Sequence, residues 1–302
     1  MSKIFKLTTH AKHDSAHCLT PNLFVTIKRG TRDGTKLDLT YQHNQEQKIR
    51  FTCFQALDAT DMKMLQALVA LGAIQATALE LNSPLTDLGE TLVSLLDPTD
   101  NVKSESSSII KIKLGKLLQE CGLQNGGGNR NVAIESLRRL SAVTVFVTIK
   151  NIEWSSHLLS YRFDSVKDEY VVALNPRLSS AILGRTKKYT TIDMNQARGL
   201  KSDVASILHQ RLSAVIDENK ERKLKLDTLL DYVWAPPTKG VKSSALISKQ
   251  KSKLIKALDD ITYVGGWKYT FEGGDVFKIL RDASIHKAIP PQKPEKTKVL
   301  TV

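Results

Sequence analysis

One arrangement of apolar and polar positions occurs twice along the chain. Ile112-Lys-Leu-Gly-Lys-Leu-Leu-Gln119 is echoed by Leu224-Lys-Leu-Asp-Thr-Leu-Leu-Asp231. Each copy leads into a loop, then a basic segment with helical spacing, then β-branched alternation. The first long helix is predicted over Asn129 to Ser141, with apolar anchors Leu137, Leu140 and Val143. The second is predicted over Ser244 to Asp260, anchored by Leu254, Leu258 and Ile261. The offset is 112 at the short helix (Ile112 to Leu224) and 118 at the later anchors (Leu140 to Leu258), so the second copy carries a longer loop. Strand, short helix, turn, long helix, hairpin is the order of a winged helix-turn-helix. The expected fold class is therefore α+β, with two tandem winged helix-turn-helix domains.

The remaining pattern fills in the rest of each half. Residues 1–20 are polar and His-bearing and read as an N-terminal arm. Residues 21–175 form the expected first winged-helix domain, 176–289 the second, and 290–302 a disordered basic tail rich in Pro and Lys. Leu23, Phe24 and Ile27 suit a short helix. Leu37 to Tyr41 and Ile49 to Cys53 alternate with period two around His43-Asn44-Gln45, as a hairpin does. A helix follows from about Thr60, capped by Asp58 or Thr60 and striped with Met64, Leu65, Leu68 and Leu71. Thr86 to Leu96 reads as another helix and Thr99 to Ser108 as a loop. Gly122 is placed to end the first short helix, and Asn129 to cap the next. Val143 to Ile149, Leu158 to Phe163 and Tyr170 to Leu174 read as one wing-like sheet, with the domain boundary at Asn175-Pro176. In the second half, Arg177 to Leu183 is a short helix and Ser202 caps a strong one reaching Ile216. The loop Pro236 to Gly240 precedes the long basic helix, and an aromatic hairpin turns at Gly273-Gly274.

Charge narrows the function. Over 302 residues, 44 Lys and Arg stand against 31 Asp and Glu, a formal +13 and a pI near 9.5. That balance favours a polyanionic partner. The three cysteines, Cys18, Cys53 and Cys121, are scattered, which fits a reducing cytosol better than a disulfide framework. The apolar stretch from Leu65 to Leu81 is broken by Gln66, Gln75 and Glu80, and the first ten residues lack a signal-peptide run. The expectation is a cytoplasmic protein with no membrane association. His13, His17 and Cys18 lack further paired ligands, and Gly126-Gly-Gly128 lacks the Gly-Lys-Ser/Thr ending of a phosphate-binding loop. No catalytic, metal or cofactor site is expected, so the chain is read as a non-enzyme. Aromatics at 6% offer little stacking surface for single strands.

The candidate DNA-contacting residues lie on the two long helices. Around the second, Lys239, Lys242, Lys249, Lys251, Lys253 and Lys256 all precede the next acid, Asp259. At 100° per residue, Ile247, Leu254 and Leu258 share one face. Lys242, Lys249, Ser252, Lys253 and Lys256 fall opposite, with Ser248 on the flank and Ser244 at the start. Lysines neutralise phosphates and release counterions, while small residues let a helix approach the major groove. Lys268, on the following hairpin, completes that set. On the first helix Asn131, Glu135, Arg138 and Arg139 lie across from Leu137. Asn pairs with adenine, Arg with guanine, and Glu accepts from cytosine. An ordinary solvated polar face is the plainer reading of either helix.

Specific strings add a family likeness. His13-Asp-Ser-Ala-His-Cys-Leu-Thr-Pro-Asn-Leu-Phe24, Lys28-Arg-Gly30 and Lys36-Leu-Asp-Leu-Thr-Tyr41 resemble the start of the IncQ-type plasmid replication initiators, the replication protein C family. Val171-Val-Ala-Leu-Asn-Pro176, Leu208-His-Gln-Arg-Leu212 and Asp227-Thr-Leu-Leu-Asp-Tyr-Val-Trp234 continue the likeness in order. Asn22 stands where that family carries Gly, and the lysine helix replaces a run richer in arginine. The resemblance implies an initiator that binds direct repeats (iterons) in double-stranded origin DNA. It implies opening of an adjacent AT-rich stretch for a plasmid-encoded helicase and primase, without catalysis of its own. Self-association stays open. A winged-helix transcriptional repressor is the alternative; an RNA-binding or membrane-surface protein rests on charge alone.

Overall fold

The fold is that of a computed structural model, which describes residues 7–27, 31–32, 35–75, 77–78, 91, 94–95, 108–186, 188–234 and 244–282. The first sheet joins β2 (Leu37–Gln42), β3 (Gln47–Cys53), β6 (Thr144–Ile149) and β7 (Ile152–His157) in that order, all antiparallel. Ile49, Phe51, Val145 and Val147 point inward at alternate positions, which fixes the register because a one-residue slip would expose them. Asn44 closes the β2–β3 turn, its Oδ1 accepting from the amides of Glu46 and Gln47 at 2.9 and 2.8 Å.

The helix α2 (Ala59–Gln75) is the axis of the first core. Its apolar residues run nearly all round, and Met64, Leu65, Ala67, Leu68, Val69 and Ala70 are all buried. Such a helix needs covering on every side. Asp58 begins it, accepting from the amides of Thr60 and Asp61 at 2.8 and 3.0 Å. A second sheet, ordered β4 (Thr77–Ala78), β5 (Ser108–Lys113), β9 (Glu169–Leu174) and β8 (Leu159–Asp164), holds the short helix α3 (Leu114–Glu120) and the long helix α4 (Gly127–Ser141).

The same order recurs in the second half. The helix α7 (Asp203–Val215) is followed by β11 (Lys220–Lys225), α8 (Leu226–Val233), α9 (Ser244–Tyr263), β12 (Trp267–Gly273) and β13 (Val276–Arg281). The sheet order β11-β13-β12 matches β5-β9-β8 in the first half. The duplicated sequence maps onto this: Ile112 and Leu224, Leu114 and Leu226, Leu117 and Leu229, Leu118 and Leu230 are all buried pairs at equivalent positions. The structure is mixed α and β, consistent with the α+β expectation.

Several expectations are corrected. The polar N-terminus is not a loose arm over its described part. β1 (His10–Asp14) pairs antiparallel with β10 (Tyr189–Asp193), and α1 (Ser15–Leu19) follows directly. Its polar residues are internal partners: Asp14 Oδ2 accepts from Arg177 at 3.0 Å, and the Cys18 carbonyl accepts from Arg211 at 3.0 Å. Leu23 and Phe24 form no helix; both are buried, and Phe24 makes an isolated bridge to Leu57. Asn175-Pro176 is a local break in the chain. Asn175 caps α5 (Pro176–Ile182), with Pro at its first turn. That helix, β10 and α6 (Met194–Gly199) supply Leu178, Ile182, Ile192 and Met194 to the first core, and the second core begins at Leu200. Finally, Thr144–Ile149 does not join the β8–β9 sheet but pairs with β3, and Ile152–His157, unread in the sequence, extends that pairing. The expected helix near residues 86–96, most of the loop 99–108, the loop 236–240 and the tail lie outside the described residues, apart from a few positions.

Candidate nucleic-acid interface

α4 begins at Gly127 rather than at an Asn129 cap, and extended Gly126 leads into it. Asn129 instead donates its amide to the Gln124 carbonyl at 2.8 Å. Ala133, Ser136, Leu137 and Leu140 face the core, so Asn131, Glu135 and Arg138 face solvent. Arg138 Nη1 donates to Glu135 Oε1 at 2.6 Å, one turn away on the same surface. Arg130 donates to Asp168 at 2.7 Å and so ties the helix start to the β8–β9 turn. At the tip of that turn Val166 is 94% exposed.

Arg139 does not belong to this outward set. Its side chain is 9% exposed, against 61% for Arg138. Its Nε and Nη2 donate to Asp61 Oδ1 at 3.1 and 2.9 Å, and Ser136 Oγ donates to the same oxygen at 2.7 Å. Arg32 reaches Asp61 Oδ2 at 3.3 Å and also pairs with Asp58. Burial raises the Asp61 carboxyl above its ordinary value and Asp58 adds to that; Arg139 opposes both. The guanidinium is thus an internal clamp between α2 and α4, placed one position round the helix from the solvent face.

α9 presents a different surface. Gln250, Leu254, Ala257, Leu258 and Ile261 are buried. Ser244, Ser248, Lys249, Ser252, Lys253 and Lys256 are all exposed on the other side. Lys251, on the edge, donates to Asp275 in the β12–β13 turn at 2.8 Å, and Lys268 on β12 pairs with Asp282 at 3.3 Å. Lys249, Lys253 and Lys256 have no ion-pair partner among the described residues. Lys239 and Lys242 lie outside those residues. Lys253 and Lys256 also line a cleft of about 470 Å³ with Thr26, Ile27 and the start of α7. Their neighbourhood with Thr26 and Ile27 was not readable in the sequence, because these residues stand more than 200 positions away from the lysines, beyond the reach of any local pattern.

The two halves meet through a dense seam. Gln196 Oε1 accepts from His209 Nε2 and from Trp267 Nε1, both at 2.9 Å. Burial, aided by Arg281, lowers His209 to about 4, so the ring is neutral and Nε2 carries the proton. Gly266 has φ +76°, and an added Cβ there would collide with Gln196 Nε2; it is a close-approach glycine. Arg281 Nη2 donates to the Thr191 carbonyl at 2.7 Å and Gln66 to Gln210 at 2.6 Å. Among the described residues, no three His, Cys, Asp or Glu converge as a metal site, and no helix is long and apolar enough to cross a membrane.

The family model for replication protein C matches residues 5–283, which include both repeated units and the seam. The chain belongs to the replication protein C family. The role that goes with this family is replication initiation. A crystal structure of domains 2 and 3 of RctB is similar in fold, with a TM-score of 0.50 at 10% identity, covering 88% of this chain and 97% of that one. A second RctB domain 2–3 structure gives a TM-score of 0.45 at 10% identity, over 88% and 95% of the chains. No curated protein matches the sequence. All of the described candidate residues, Asn131 through Lys268, fall inside the span matched to replication protein C.

Proposed function

We propose that this replication protein C member binds direct repeats in double-stranded origin DNA through two tandem winged helix-turn-helix units. The observation that carries the proposal is the helix-strand-helix-helix-hairpin order, met twice with the same sheet order, with three lysines on α9 that have no carboxylate partner among the described residues. α9 supplies phosphate contacts from Lys249, Lys253 and Lys256, with Ser244, Ser248, Ser252 and Lys268 around them. α4 supplies base-edge chemistry from Asn131, Glu135 and Arg138. Lys239 and Lys242, just before α9 in sequence, extend the basic set.

Initiation then follows from binding rather than from hydrolysis. Bending a site of 20–30 bp costs on the order of 1–6 kcal/mol, which several phosphate contacts offset. Copies bound side by side on repeats sum that strain into an adjacent AT-rich stretch, where the helicase and primase are admitted. Permanganate reactivity on supercoiled origin DNA, with this protein and no nucleotide, tests the reading. Reactive thymines beside the repeats are expected. Occupied repeats without opening would favour a repressor instead, and strict dependence on ATP would refute the binding-driven scheme.

A further inference from the structure

A second cavity lies away from both long helices. It has a volume of about 420 Å³ and sits between the β2–β3 turn, β7, α5 and the segment leading to β10. Arg177 and Lys188 bring two cations to it, Ser180 and Thr186 two hydroxyls, and Trp154 an indole. Among the described residues the one carboxylate in its lining, Asp14, is already held by Arg177 at 3.0 Å and by His17 at 2.8 Å. The cationic surplus therefore comes from Lys188, which is exposed and has no ion-pair partner among the described residues. Arg177 spends only one terminal nitrogen on Asp14, and its Nε is buried without a partner. A donor left this way is costly unless something else accepts from it.

We propose that this cavity binds a nucleoside phosphate. Its volume falls within the range of small-molecule sites. Two cations, one with a planar fork, fit a phosphate group, and hydroxyls and amides fit its remaining oxygens and the sugar. Trp154 packs into the core and turns only a narrow apolar edge, 9% exposed, towards a base. The ligand's position couples it to the fold: Arg177 anchors Asp14, Asp14 caps α1, and the α1 carbonyl of Cys18 is held by Arg211 of α7.

The test is titration of the full chain with AMP, followed by calorimetry and thermal shift. AMP is expected to bind saturably and raise the melting temperature. Adenosine and inorganic phosphate should each bind at least about tenfold more weakly. Lys188→Ala should weaken AMP by about tenfold, as loss of one charge-assisted contact does, while Lys188→Arg retains it. A Lys249→Ala, Lys253→Ala, Lys256→Ala variant should bind AMP unchanged, which separates this cavity from the α9 face and from the DNA-binding proposal. Absence of saturable binding, equal binding by Lys188→Ala, loss of AMP in the α9 variant, or phosphate binding as tightly as AMP would overturn the inference.

Discussion

The two repeated units share a topology and differ in what their long helices do with charge. On α4 every arginine has a protein partner: Arg130 holds Asp168, Arg138 holds Glu135, and Arg139 is buried against Asp61. On the outward face of α9, Lys249, Lys253 and Lys256 have none among the described residues. Cations already satisfied by carboxylates release little free energy on meeting phosphate, whereas unpaired lysines release their counterions. Under the DNA-binding proposal, this difference separates two jobs. In that proposal the second unit supplies non-specific grip, and the first selective contacts in which Glu135 and Arg138 exchange one partner for another.

The sharpest way to break the comparison is at Arg139. If it is an internal clamp, Arg139→Ala destabilises the fold by about 3–5 kcal/mol, because Asp61 loses its principal counter-charge inside the core. Urea denaturation reads this directly. A variant of wild-type stability that loses DNA specificity would return Arg139 to the binding face. The next effect is on salt dependence. Replacing Lys249, Lys253 and Lys256 with Ala should lower the slope of log affinity against log salt by about 2.7, at roughly 0.9 per phosphate contact. Specific and scrambled duplexes should weaken alike; an unchanged slope would remove α9 from the phosphate path.

A smaller effect is expected at Arg138. Arg138→Ala should relax discrimination between specific and scrambled DNA by roughly 1–3 kcal/mol while leaving the salt slope nearly intact. Titrations on both duplexes at several salt concentrations distinguish it from the lysine variant. The last effect sharpens the role of the seam that holds the units together. His209 is lowered to about 4 by burial and by Arg281, so between that value and about 6.5 the unfolded chain binds a proton that the folded chain refuses. Stability is full above about pH 6.5 and falls as the pH drops towards 4. The slope from this group is about 1.4 kcal/mol per pH unit. His209→Gln, which keeps a donor for Gln196, should flatten the profile by that amount; an unchanged profile would place the acid sensitivity elsewhere.

What the sequence revealed follows the range of the forces involved. The duplicated Leu-Leu motif, the hairpin from Leu37 to Cys53, the Ser202 cap and the outward lysines depend on spacing within a few turns, and all were readable. Arg139 misled because a helical wheel assigns direction and not depth, and its partner Asp61 lies 78 positions away. The N-terminal strand misled because buried Asp14, His13 and His17 look like solvent residues until Arg177 is brought beside them. No local pattern announced β1 pairing with β10, since those strands meet across nearly the whole first half.

The central claim is that both units contact one duplex from a fixed seam. Hydroxyl-radical footprinting of the full chain on its origin repeats tests it most directly. Two protected stretches should lie on one face of the helix, about 34 Å or one turn apart. The Lys249, Lys253 and Lys256 to Ala variant should weaken one stretch before the other. Protection confined to a single turn of groove, unaltered in extent by that variant, would contradict the claim.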